Sequence, residues 1–265
     1  MTPREKESYS IQSVEHALDL LEALCDQVDG VQIAQLSTRL GMNKSSIFRL
    51  LATLEARGYV QREESSKRYR LGMTAYETAQ KFLSHMTLLR KARPVMERLA
   101  RLCDEAVYLA IRRGDEVLFL DMIDTGQQVK LASLVGRRYP LTALSAGRAL
   151  LAFDDDRVIR PRSVPRPPPL DAIVALALER FRRTGFGADV GGGGEGVTCL
   201  AVPLFNHREE IEGTLAILGP DFRLGSETRQ LELRTQLLEA AGVISSGMGY
   251  FGYFERARQW TAAMQ

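Results

Sequence analysis

The chain has 265 residues, 45% apolar and 26% charged, which is the balance of an ordinary globular protein with room for two domains. No apolar run reaches the roughly 18 residues of a membrane span, and the charged start at residues 1–7 lacks the apolar stretch of a secretory signal. Three scattered cysteines and three scattered histidines exclude a disulfide framework and metal-ligand spacing, so no metal or cofactor is expected, and a reducing cytoplasm fits.

The net charge of +2 is unevenly spread. Residues 11–29 hold five carboxylates and no Lys or Arg, whereas residues 39–70 hold eight Lys and Arg against three Glu. A short cationic segment is what a phosphate-facing surface requires, although a solvated basic face has the same composition.

Ile11, Val14, Leu18, Leu21 and Cys25 recur at spacings of three and four, predicting a first helix that buries this stripe. Ile33, Leu36 and Leu40 predict a short second helix, stopped by Gly41 in the usual glycine position. Asn43 is a good N-cap for a third helix, on which Ile47, Leu50, Leu51 and Leu54 share one face. The opposite face carries Ser45, Arg49 and Ala52, flanked by Ser46, Phe48 and Thr53. Short polar side chains with one Arg suit a major groove. Residues 59–62 and 68–72 then read as two strands of a cationic wing. Each feature alone is ordinary packing; together they predict a winged helix-turn-helix over residues 1–72 that binds double-stranded DNA. Ser45, Ser46, Phe48 and Arg49 would meet bases, with Lys44, Lys67 and Arg68 on phosphates.

Residues 73–90 read as a linker helix, partly apolar against a partner chain or the next domain. Arg93-Pro94 then permits a break, with a further helix to about residue 104 burying Val95, Leu99 and Leu102. Two strands at 107–112 and 117–122 flank Gly114-Asp115, and a third is expected at 129–135. Residues 141–152 form a loop entering a short helix. Residues 154–169, with five Pro and four Arg, form a surface connector or, alternatively, a contact with DNA or a partner. A helix at 171–183, strands at 197–205 and 211–218, and a final helix capped by Ser226 complete the chain. That last helix is expected to carry Leu231, Leu238, Ala241 and Ile244 inward. The aromatic tail at 250–254 packs under the sheet or meets another copy.

Gly191–Gly194 precede a strand, not a helix, and no Gly-Lys-Ser/Thr follows, so they are not a phosphate loop. Cys199 as a nucleophile needs a base, and His207 is the one candidate, several residues away. No catalytic residue is therefore expected. A Cys199 hydrolase with an accessory helical domain stays as a rival reading, and an architectural DNA-binding protein without an effector is another.

Residues 11–21 (IQSVEHALDLL), 36–51 (LSTRLGMNKSSIFRLL), 54–60 (LEARGYV) and 69–72 (YRLG) resemble the isocitrate lyase regulator (IclR) family of bacterial transcription factors. The resemblance implies an α+β chain: a winged helix-turn-helix, a linker helix, and a GAF-like α/β effector-binding domain over residues 91–265. It also implies dimers or dimers of dimers on an inverted repeat, with a small-molecule effector changing their hold on DNA. Residues 141–152 would close one side of the effector pocket through Leu144, Ser145 and Ala146, with Arg148 where the family commonly has Lys. Residues 196–203 would line it, Cys199 and nearby backbone amides meeting a small acid's carboxylate. Asp189 keeps its place, but the acidic residues that often follow are replaced by the glycine run, expected to be a mobile lid. Ala216 and Leu218 stand where members that bind small polar acids carry serines. That loss of hydroxyls predicts an aromatic or larger apolar effector.

Overall fold

The computed structural model describes residues 10–25, 27, 29–154, 171–191, 194 and 196–263. The proline- and arginine-rich connector at 155–170 lies outside them, as do Gly192, Gly193 and Glu195 of the glycine run. The chain forms two compact units, residues 1–85 and 86–265.

The first unit contains α1 (Gln12–Cys25), α2 (Ile33–Leu40), α3 (Lys44–Ala56), β1 (Val60–Arg62), β2 (Tyr69–Leu71) and α4 (Met73–His85). Its core is Leu20, Leu24, Val31, Leu36, Ile47, Leu51, Val60 and Tyr69. Gly41, at φ 65°, ends α2 in the left-handed conformation that favours glycine. Ser37 Oγ donates to the Met42 carbonyl at 2.6 Å, which fixes the turn into α3. β1 and β2 pair antiparallel, and Val31 adds a bridge to Tyr69 through two 2.8 Å backbone bonds. The wing is thereby tied to the start of α2.

The buried face of α1 is not the one expected. Leu20, Ala23 and Leu24 are buried, whereas Ile11, Val14 and Leu18 are exposed, Leu18 at 54%. The helix carries two apolar stripes, and a period of 3.6 cannot say which of them α2 and α3 cover.

A continuous linker helix to residue 90 is also not found. The chain breaks at Met86, and α5 (Thr87–Cys103) runs straight through Pro94. Pro94 removes one backbone bond, but it sits on the exposed side, so water can serve the freed Arg90 carbonyl. Leu88, Ala92, Val95, Met96, Leu99 and Cys103 bury the other side, and that packing outweighs the lost bond; Leu102, expected inside, is exposed.

The second unit is built on β3 (Ala106–Arg113), β4 (Glu116–Ile123), β5 (Arg138–Pro140), β6 (Gly187–Val190), β7 (Val197–Phe205) and β8 (Ile211–Pro220). Among the described residues they form one antiparallel sheet in the order β5-β4-β3-β8-β7-β6. Strand alternation divides its two faces. Val107, Leu109, Leu200, Val202, Leu215 and Ile217 pack against α5, α9 (Glu227–Gly247) and α10 (Tyr253–Ala262). Tyr108, Ala110, Cys199, Ala201, Ala216 and Leu218 face α6 (Ser145–Phe153) and α7 (Ala172–Thr184). The short α8 (Asp221–Leu224) follows β8.

No strand forms at 129–135; the edge strand is β5, paired with Glu116 to Leu118. The segment before it is held by side chains instead: Arg223 donates to the Val129 carbonyl at 2.8 Å, and the Thr125 hydroxyl donates to the Asp104 carbonyl at 2.8 Å. α9 begins at its Ser226 cap, but its inward register runs through Leu233, Leu237, Leu238, Ala241 and Ile244, and Leu231 points out. Of the aromatic tail, Tyr250 and Tyr253 are buried under the sheet and Phe251 is exposed.

Candidate functional site

α3 presents the expected face. The Asn43 side chain caps it, accepting from the Ser46 N–H at 2.8 Å and from Ser45 Oγ at 2.8 Å. Ile47 and Leu51 are buried, which fixes the opposite face outward. Lys44, Ser45 and Arg49 are exposed there, Ser46 is half-buried, and Phe48 is 53% exposed. Arg49 and Lys44 make no ion pair among the described residues. Five of the seven residues expected on DNA thus share one surface of one helix.

The wing residues differ. Lys67 sits at the tip with φ 54°, paired to Glu64 at 2.7 Å; the Lys67 hydrogen bond and charge hold the Glu64 carboxyl below its usual range. Arg68 is half-buried and donates to the Gly30 carbonyl at 3.3 Å, clasping the wing to the loop before α2. Arg70 and Gln61, cross-strand partners on the exposed side, are the residues sequence reasoning missed. The alternation Tyr69 in, Arg70 out, Leu71 in was the available signal.

In the second unit, all seven expected effector residues come together on the α6 side of the sheet. Asp189 pairs with Cys199, Cys199 with Leu218, and Ala201 with Ala216, so one row of backbone pairs carries three of them. Leu144 caps α6, and Ser145 and Ala146 form its first turn above that row. Gly147 lets the preceding loop pack against α6: a Cβ there would lie 2.4 Å from the Leu141 carbonyl oxygen. Asp189 Oδ2 accepts the Ser145 backbone N–H. Burial pushes the Asp189 carboxyl above its usual range, against the pull of Ser145 and the Arg148 charge. Burial also pushes the Cys199 thiol well up, and the Asp189 charge adds to it.

Sequence reasoning missed the side of this wall. Tyr108 and Phe119 meet edge to face at 5.4 Å, and Phe119 and Tyr139 at 6.0 Å. The irregular segment 124–137 lays Leu131 and Leu134, both half-buried, over the same cluster. Arg148, in the place of the usual Lys, is engaged with the Thr142 carbonyl at 2.8 Å. Gly191, Gly194 and Gly196 all have positive φ in the hairpin joining β6 to β7, a turn that only glycine takes without strain. A cavity of about 680 Å³ lies at the far end of α6, between Phe153, Arg182, Phe205 and Arg256, and includes none of the seven residues.

Cys199 and His207 are not brought together. Cys199 lies near the start of β7 and His207 past its end, and six strand residues at about 3.3 Å each separate them by roughly 20 Å. The thiol is buried and held protonated, and the histidine expected as its base is not beside it.

Known proteins share this arrangement. The profile of the IclR helix-turn-helix domain matches residues 13–64, and that of the bacterial transcriptional regulator IclR C-terminal domain matches residues 80–162 and 171–246. The chain belongs to the IclR family. The HTH-type transcriptional regulator KdgR of Escherichia coli is 32% identical over 257 residues, covering 94% of this chain and 97% of its own. The structure of Pseudomonas aeruginosa HmgR is 27% identical with a TM-score of 0.74, covering 91% of this chain and 100% of its own. An IclR homologue from Microbacterium hydrocarbonoxydans, solved with 4-hydroxybenzoate, is 25% identical with a TM-score of 0.72, covering 89% and 98%. As an IclR-family member, the chain is a ligand-responsive, DNA-binding transcriptional regulator with a winged helix-turn-helix and an α/β effector domain.

Proposed function

We propose that this regulator represses transcription in a bacterial cytoplasm, as a homodimer or dimer of dimers on an inverted repeat, and that it is not an enzyme. The observation that carries the reading is the outward face of α3, where Arg49 makes no ion pair among the described residues and stands among short polar side chains over a buried Ile47–Leu51 face. Ser45, Ser46, Phe48 and Arg49 read bases in the major groove, and Lys44 holds phosphate at the helix head. Lys67 reaches phosphate from the wing tip, with Arg70 beside it, while Arg68 positions the wing. The exposed apolar residues Ile11, just before α1, Val14 and Leu18 on it, and Met73, Tyr76 and Phe82 on α4, support a self-association surface. Three free cysteines fit a reducing compartment.

The effector meets Leu144, Ser145, Ala146, Asp189, Cys199, Ala216 and Leu218. Its class is aromatic or apolar, as supported by the Tyr108–Phe119–Tyr139 cluster and by a homologue that holds 4-hydroxybenzoate. Effector binding changes the population of the DNA-competent state. Selection of duplexes from a random pool by the purified protein tests the reading. Enrichment of an inverted repeat, released by a pocket ligand, is expected. Recovery of unrelated sequences that differ only in salt sensitivity would instead support an architectural role.

A further inference from the structure

The cavity at the far end of α6 lies apart from the effector wall, and its lining has a chemistry of its own. Its volume, about 680 Å³, falls in the range of small-molecule sites. Ala152, Phe153 and Asp154 come from the end of α6, Arg182 from the last turn of α7, and Phe205 from the end of β7. Residues 208–211, which lead from β7 into β8, and Arg256 of α10 complete it.

Two guanidinium groups in this lining are already oriented. The Arg256 guanidinium carbon lies 4.7 Å from the centroid of the Phe205 ring and 5.3 Å from those of Phe153 and Trp260. These rings fix its plane and shield part of it from water, yet its side-chain N–H groups meet no acceptor among the described residues. Arg182 donates its Nε hydrogen to the Ala152 carbonyl at 2.9 Å. That bond covers the negative end of α6 and leaves two terminal nitrogens for another acceptor. Neither Arg182 nor Arg256 makes an ion pair among the described residues.

The carboxylates of the same lining do not answer them. Asp154 pairs with Arg112, and Glu210 accepts from the Asn206 side-chain amide at 3.2 Å. Glu209 is exposed and forms no ion pair among the described residues. A guanidinium fork held in place binds a carboxylate or phosphate with little further loss of freedom, whereas a free surface arginine must first be ordered.

We propose that this cavity is a second ligand site, which takes a small organic anion, a carboxylate or a phosphate ester, between Arg182 and Arg256 with its carbon body against Phe153. The proposal does not depend on the reading of the effector wall, because the two sites share no residue.

Calorimetric titration into the full-length protein tests it with two carboxylates, hexanoate and phenylacetate, and two phosphate esters, phenyl phosphate and glycerol 3-phosphate. At least one anion should bind, at least about tenfold more tightly than its uncharged counterpart: hexanamide, phenylacetamide, phenol or glycerol. Which pair binds more tightly tells whether the carboxylate or the phosphate is the favoured form. Arg182→Gln, at an exposed side chain, and Arg256→Gln should each weaken that anion at least about tenfold. Phe119→Leu, which alters the effector wall, should leave it within about twofold. Thermal melting shows whether Arg256→Gln is folded, and Arg182→Gln decides alone if it is not. No binding by any anion, equal binding of the uncharged counterpart, or affinity unmoved by the arginine variants overturns the inference. Loss of binding in Phe119→Leu overturns it as well, because the anion would then sit on the effector wall.

Discussion

Asp189 shows how one residue's environment sets its chemistry. The same carboxyl that caps α6 is deprived of water, and burial raises its proton affinity more than Ser145 and Arg148 lower it. The folded protein therefore holds this proton more tightly than the unfolded chain does, and stability falls as pH rises from the ordinary carboxylate range through the raised value. Asp189→Asn removes that loss. Its melting temperature should exceed the wild type's above that range, with the difference shrinking as pH falls below it; a difference that does not vary with pH would contradict this account. The wing shows the opposite case. Arg68, expected on phosphate, is half-buried and donates to the Gly30 carbonyl, which ties its guanidinium to the loop before α2.

At the scale of elements, α6 lies close to the sheet because small residues let it. Ala146 and Ala149 face Ala201 and Ala216, while Gly147 faces the loop before the helix, where a Cβ would meet the Leu141 carbonyl oxygen at 2.4 Å. Gly147→Ala should lower stability by about 1–3 kcal/mol in denaturant titration and weaken any pocket ligand, because the loop at Leu141 and the head of α6 must move apart. An unchanged midpoint would show that the loop before α6 yields freely.

What was legible in the chain followed from local rules. Gly41, Asn43 and Ser226 mark helix ends by backbone chemistry that does not depend on tertiary context, and so they were read correctly. The failures came where long-range partners decide. Which stripe of α1 is buried depends on α2 and α3, and Pro94 is tolerated because α5 is clamped along its other side. The segment at 129–135 is apolar enough for a strand, but Arg223, 94 residues away, takes its backbone. β6 was missed because Gly187-Ala188-Asp189-Val190 is too short to show alternation. For the candidate site, the α6 and β7 contributions were readable from the family resemblance. The aromatic side from Tyr108, Phe119 and Tyr139 needed the pairing of β3, β4 and β5.

For the whole molecule, two units must act as one switch, and a single α3 reads too few bases to be selective among many sites. The proposed self-association would supply the second copy, and the stripe Ile11–Val14–Leu18, exposed among the described residues, is a surface fit for it. Leu18→Glu, exposed and so harmless to folding, should shift sedimentation toward smaller species and weaken operator binding more than it weakens non-specific binding; an unchanged distribution would place the interface elsewhere. The central claim is that α3 reads sequence through Arg49. Its most direct test is a titration of wild type and Arg49→Ala against a selected operator and its single-base variants at fixed salt. Arg49→Ala should lose about 1–3 kcal/mol at one base position and become indifferent to substitutions there. Operator affinity and base preference identical to the wild type's would contradict the account.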